Sequence, residues 1–97
     1  MGQAENDLTL ETVFVQNEAM LFADVGDGTA LMDIDRGEYF QYESVGSRIW
    51  ELIDGKATVA QICARLTEEY DVDRATCEQQ TMAFLGKLQE LNHANPV

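Results

Sequence analysis

The sequence is short of several things that whole classes of protein require. Only two cysteines occur in 97 residues, Cys63 and Cys77, and they form no CxxC pair. Neither a disulfide framework nor a thiolate metal site is therefore expected, and each Cys falls at an apolar-periodic helical position where a reduced thiol acts as a small hydrophobe. The single histidine, His93, stands near the C-terminal end without companion ligands or an orienting third group, which argues against both a zinc site and a nucleophile–base pair. Basic residues number 6 against 18 acidic ones, a formal net charge of −12. Counterion release on nucleic acid needs Lys and Arg, so this balance opposes a nucleic-acid partner. No apolar run approaches the roughly 20 residues of a membrane-spanning helix. No basic-plus-apolar export signal opens the chain, and a cytosolic protein is expected.

What is present reads as ordinary globular material. The sequence is 45% hydrophobic and 25% charged, enough for one domain with one core and too little for a deep active-site cavity. The acids run from Glu5 to Glu90 without forming a block. That spread serves solubility, or steers a basic or neutral peptide toward the surface. Asp24, Asp27, Asp33 and Asp35 do not match a calcium loop, and no helix directly follows Gly26 and Gly28 to make a phosphate cradle. No catalytic residue, metal or cofactor is expected.

Along the chain, residues 1–11 lack a period and are expected to be a flexible N-terminal tail. From Thr12 to Tyr42 the period is that of strands. Val13 and Val15 alternate with Phe14 and Gln16, Asn17-Glu18 offers a turn, and Met20–Val25 continues to Gly26-Asp27-Gly28. Thr29–Ile34, the turn Asp35-Arg36-Gly37 and Glu38–Tyr42 make a clearer hairpin. Its last strand sends Phe40 and Tyr42 one way and Tyr39 and Gln41 the other, so both faces carry an aromatic ring. The period then becomes helical. Ser44 is read as an N-cap, with Val45, Ile49, Leu52 and Ile53 as an inward stripe and Trp50 at its edge. Thr58 and Gln61 match a capping box ahead of Val59, Ile62, Cys63, Leu66 and Tyr70. A third helix starts near Asp73 or Thr76 and runs to about Leu91, with Asn92 as its stop, and residues 93–97 are expected to fray. Strands followed by helices indicate an α+β domain over residues 12–92: an N-terminal three- to four-stranded antiparallel sheet followed by a three-helix bundle.

Several of these segments, in this order and spacing, resemble the PqqD-like family, the RiPP recognition elements. They are Gly37-Glu38-Tyr39-Phe40, Ile49-Trp50-Glu51-Leu52-Ile53-Asp54-Gly55, Thr58-Val59, Leu66–Asp71 and Phe84-Leu85-Gly86-Lys87-Leu88. Tyr42-Glu43 stands where the family usually has Leu-Asn, and Asn92-His93 replaces the apolar pair that commonly closes the last helix. The resemblance implies a winged helix-turn-helix-like fold that binds no DNA. It also implies capture of a precursor's leader peptide as a strand beside the last strand of the sheet. On that mapping Glu38, Tyr39, Phe40, Gln41 and Tyr42 form the binding edge, and Cys77, Glu78, Thr81, Met82 and Leu85 form a helix wall.

Each of these residues also has a plainer role. Tyr39 is either a half-exposed strand aromatic or a peptide anchor. Phe40 and Tyr42 suit a core face, and Met82 suits helix surface or an adaptable groove. Phe84, Leu85 and Leu88 suit the core, one of them able to floor a groove. The implied partners are a precursor leader peptide and a modifying enzyme, either a protease or cyclase of the lasso-peptide type or a radical enzyme of the quinone-cofactor type. The protein would be a monomer or an edge-paired dimer. The alternative function is a winged-helix nucleic-acid-binding regulator, which needs a basic recognition helix; the third helix offers only Arg74 and Lys87 against Glu78 and Glu90. A small enzyme or enzyme subunit would need an acid–base or metal cluster that the sequence does not display.

Overall fold

The structure, a computed structural model, describes residues 8–26 and 28–97. Its elements are β1 (Val13–Gln16), β2 (Met20–Val25), β3 (Gly28–Asp33), β4 (Glu38–Glu43), α1 (Val45–Leu52), β5 (Asp54–Thr58), α2 (Val59–Glu69), α3 (Arg74–Glu90) and β6 (Ala94–Pro96). Among the described residues these make two antiparallel three-stranded sheets, ordered β5–β1–β6 and β2–β3–β4, together with three helices. The α+β class is as expected. The strand arrangement is not, because two strands lie among and after the helices.

The β2–β3–β4 meander is built by alternation. Thr29 and Leu31 on its central strand are fully buried, and their cross-strand partners Phe40 and Tyr42 share that inner face. Thr29 bonds its hydroxyl to that of Ser47 on α1, so the polar pair is satisfied inside the core. The β3–β4 turn closes where the Gly37 N–H meets the Asp33 carbonyl at 2.8 Å.

β1 does not form a hairpin with β2. The Asn17 side chain accepts the Ala19 N–H at 3.0 Å and turns the chain sharply. β2 then enters the other sheet, while β1 pairs with β5 and β6. Neither partner has an alternating apolar pattern. β5 is shaped locally: Asp54 accepts the Lys56 and Ala57 N–H groups at 2.9 and 3.0 Å, which holds its carboxyl below the ordinary value. Gly55 sits at φ +81°, and a Cβ there would lie 3.4 Å from Val15, so glycine serves both the backbone and the contact.

The segment 93–97, expected to fray, is instead fixed. Asn92 adopts φ 61°, the His93 N–H bonds the Leu88 carbonyl at 2.9 Å, and the Val97 N–H bonds the Val13 carbonyl at 2.8 Å. His93 and Ala94 are buried as a result. At the other end residues 1–7 of the expected tail lie outside the described residues. Leu8 and Leu10 pack on the core, and the Ala60 N–H bonds the Leu10 carbonyl at 2.8 Å. Backbone pairing with β1 and α2 holds both terminal segments, which hydrophobic periodicity does not register.

Ser44, expected to cap α1 with its hydroxyl, has φ 53° and makes no such bond. Trp50 is in the core, only 1% exposed, rather than at its edge, and the Phe22 ring meets it edge-on at 5.6 Å. The Thr58–Gln61 capping box is formed, at 3.1 and 2.9 Å. α3 is capped by Asp73, which accepts the Thr76 N–H at 3.1 Å. Arg48 links α1 to α2 with a two-point contact to Glu69 at 2.8 and 2.7 Å and a third bond to Glu51 at 3.0 Å. The helices and the inner faces of both sheets close over Phe14, Leu31, Ile49, Trp50, Ile53, Ile62, Leu66, Leu85 and Leu88.

Candidate peptide-binding edge and groove

Among the described residues β4 has one neighbour, β3, so the backbone N–H and C=O groups of its other edge have no strand to pair with. A peptide strand laid there would satisfy them. The pleat decides which side chains it would meet. Phe40 and Tyr42 turn inward, and Tyr39 and Gln41 turn outward beside Met32 and Ala30.

The inward pair is held by aromatic contacts. The Phe40 ring meets the buried His93 ring edge-on at 4.4 Å, and Tyr42 meets Phe84 of α3 edge-on at 5.2 Å. The Tyr42 hydroxyl lies 3.5 Å from His93 Nδ1. Burial raises the Tyr42 pKa and lowers that of His93, keeping both neutral near pH 7.

Beyond Tyr42 the wall opens into a cavity of about 460 Å³. Val45, Gly46 and Ile49 of α1 line one side, and Cys77, Gln80, Thr81 and Phe84 of α3 line the other. Leu66, Tyr70, Asp71 and Val72 close its end. Gly46 matters here, because a Cβ at that position would stand 3.4 Å from Phe84 Cζ and 3.6 Å from Tyr42 Cβ. A larger side chain would press on Phe84 and reduce the cavity mouth. Its volume falls within the ordinary range of small-ligand pockets, roughly 300–1,000 Å³, and its lining is mostly apolar.

The structure gathers only some of the expected site residues. Glu38, Tyr39, Phe40, Gln41 and Tyr42 all lie on the free edge strand, and Cys77 and Thr81 line the cavity. Tyr39 is 61% exposed and faces away from α3. Glu78 is engaged by Arg74 at 2.7 Å, and Leu85 is fully buried in the core. Met82 lies on another face of α3, in a shallow hollow shared with Leu8, Ala83, Gly86 and Lys87. The wall facing Tyr42 is carried by Phe84. Gln80 and Gly46 were not singled out from the sequence. The three-residue steps Cys77, Gln80 and then Phe84 one position further are the signal that could have found that helix face.

Cys63 and Cys77 are both buried, and burial raises the Cys63 thiol pKa away from the reactive thiolate. Among the described residues no group of three His, Cys, Asp or Glu side chains is placed to hold a metal ion. Nor is any helix among them long and apolar enough to cross a membrane.

Known proteins give a concordant picture. No curated protein matches the sequence. Two solved structures resemble the fold closely. One is TbiB1 in complex with the TbiA(beta) leader peptide, with TM-score 0.77 and 31% identity over 82% of this chain and 93% of that one. The other is a lasso peptide synthetase B1 complexed with its leader peptide, with TM-score 0.78 and 28% identity over 86% of this chain and 98% of that one. The family model of coenzyme PQQ synthesis protein D matches residues 28–93, which run from the first residue of β3 through all three helices to the buried histidine. With that match spanning more than half of the sequence, the chain belongs to the PqqD family.

Proposed function

We propose that this protein binds the leader segment of a ribosomally synthesised precursor peptide by strand addition to β4 and presents it to separate modifying enzymes, catalysing nothing itself. The observation that carries the reading is the free edge of β4 running beside Phe84 and the α1–α3 cavity. Main-chain bonds along such an edge supply affinity, and alternate pockets supply specificity. Both similar solved structures hold leader peptides, which supports the same ligand class here. The contact residues are Glu38 to Tyr42 along the edge, with Gly46, Cys77, Gln80, Thr81 and Phe84 on the groove side. Tyr39 turns its ring to the opposite face of the sheet.

Capture and presentation raise the local concentration of the precursor at a leader peptidase, cyclase or radical enzyme in the cytosol. The α2–α3 pair plays the part of a helix-turn-helix in a winged arrangement. It offers DNA few free cations, because Arg74 is bound to Glu78 and to the Ala60 carbonyl and Arg65 lies 3.7 Å from Glu69, which leaves Lys87.

Calorimetric titration with leaders of precursors encoded beside the gene, together with amide hydrogen exchange, tests the reading. Binding is expected, with the alternate β4 amides that face the free edge slowed. Gly46→Leu, which crowds the cavity mouth between Phe84 and Tyr42, should weaken binding by roughly tenfold, the cost of about 1.4 kcal/mol. Failure of every leader to bind, or binding that leaves the β4 amides unprotected, would overturn it.

A further inference from the structure

The edge strand has an acid at each end and no cation along it. Glu38 opens β4 and Glu43 closes it, and among the described residues neither pairs with a basic side chain. The nearby cations are occupied or turned elsewhere. Arg48 is bound to Glu69 and Glu51, and Arg74 to Glu78. Arg36, in the turn before β4, lies 3.8 Å from Asp33 and shares that turn with Asp35. Lys87 lies on the α3 face that carries Met82.

Between the two acids the pleat sorts the strand. Glu38, Phe40 and Tyr42 share the inner face, and Tyr39, Gln41 and Glu43 the outer. In an antiparallel pair, residues directly opposite share a face and interact, opposite charges favourably. A strand added to β4 therefore meets carboxylate, aromatic, polar, aromatic, aromatic and carboxylate positions in a fixed order.

We infer, resting on the strand-addition reading, that the segment captured along β4 runs antiparallel to it and has the pattern basic–apolar–x–apolar–x–basic. Its first basic residue stands opposite Glu43 and its last opposite Glu38. The two apolar residues stand opposite Tyr42 and Phe40 and turn into the groove, while the x positions face outward. The net charge of −12 draws such a segment in from a distance, and the two end carboxylates set its register.

The test uses fluorescein-labelled synthetic peptides built on Lys-Leu-Ser-Leu-Thr-Lys, against versions with both Lys replaced by Gln or by Glu. Binding is read by anisotropy, and β4 engagement by amide exchange. Each end pair is expected to change affinity about threefold, so the Lys peptide should bind roughly tenfold tighter than the Gln peptide at low salt. The Glu peptide should be weaker still. The Lys preference should vanish in the Glu38→Gln/Glu43→Gln protein, whose cooperative melting at or above the parent's temperature would show that the fold is intact. Equal affinity for all three peptides with β4 amides protected overturns the pattern and leaves strand addition standing. A Lys preference without protection of β4 overturns both. Binding of none of the peptides also overturns the pattern, with strand addition then decided by the leader titration alone.

Discussion

His93 shows how much one side chain can carry in a small fold. It is 1% exposed, holds Phe40 by its ring and lies against the Tyr42 hydroxyl, so it supports the inner face of the edge strand from below. Burial lowers its pKa; the Asp33 and Glu38 carboxylates partly counter this, and Arg36 adds to it. The unfolded chain, with an ordinary imidazole pKa near ~6.5, then binds a proton that the folded chain refuses. Stability from His93 is full above about pH 6.5 and is lost as pH falls from there through the lowered folded value. The melting temperature should therefore drop between about pH 7.5 and 5.5, and the drop should flatten in His93→Gln. Equal slopes in the two proteins would count against this account. Asp54 and Asp73, held below their ordinary values by backbone N–H groups, act only in a more acidic range, where pH falls through those lowered values. From the sequence His93 read as part of a fraying end, because a lone polar residue near a terminus gives no periodic signal.

At the scale of elements, what could be read followed from local chemistry. The capping box of Thr58 and Gln61, the α2 stripe and the β3–β4 hairpin depend on residues a few positions apart, and all three are present. β5 and β6 were invisible because their strand character comes from pairing with β1 and not from their own composition. The same divide explains the candidate site. The edge strand is a local feature and could be named, whereas the groove depends on which face of α3 meets Tyr42, and packing at Gly46 settles that. The local devices can be tested singly. Thr58→Ala removes one half of the capping box and should cost about 1 kcal/mol, lowering the melting temperature by roughly 4–8 °C. Chemical denaturation with an unchanged m-value is the check, and a change under about 0.3 kcal/mol would show that β5 holds the helix start without the hydroxyl.

For the molecule as a whole, charge is the property that composition alone made plain. A net charge of −12 on a chain of 97 residues means that folding gathers carboxylates against their mutual repulsion. The ion pairs of Arg48, Arg65 and Arg74 relieve part of it, at exposed sites where each pair is worth about 0–1 kcal/mol. Raising sodium chloride from about 0.05 to 0.5 M screens both effects. Because acids outnumber bases three to one, the repulsion dominates and the melting temperature should rise with salt. A fall on differential scanning would mean that the Arg-centred pairs outweigh the general field.

The placement of β1 between β5 and β6 also orders events in time. Residue 14 has its partner at residue 96, so that sheet cannot close until residue 96 has left the ribosome. The β2–β3–β4 meander and the α2–α3 pair need only near neighbours, and contacts between near neighbours close fastest. During synthesis the strand proposed to receive the peptide is thus made before the sheet that joins β1 to β5 and β6. For that interval a bare edge stands open on an unfinished molecule. Its acids, Glu38 and Glu43, then serve a second purpose as gatekeepers, discouraging two nascent chains from joining edge to edge before either is complete.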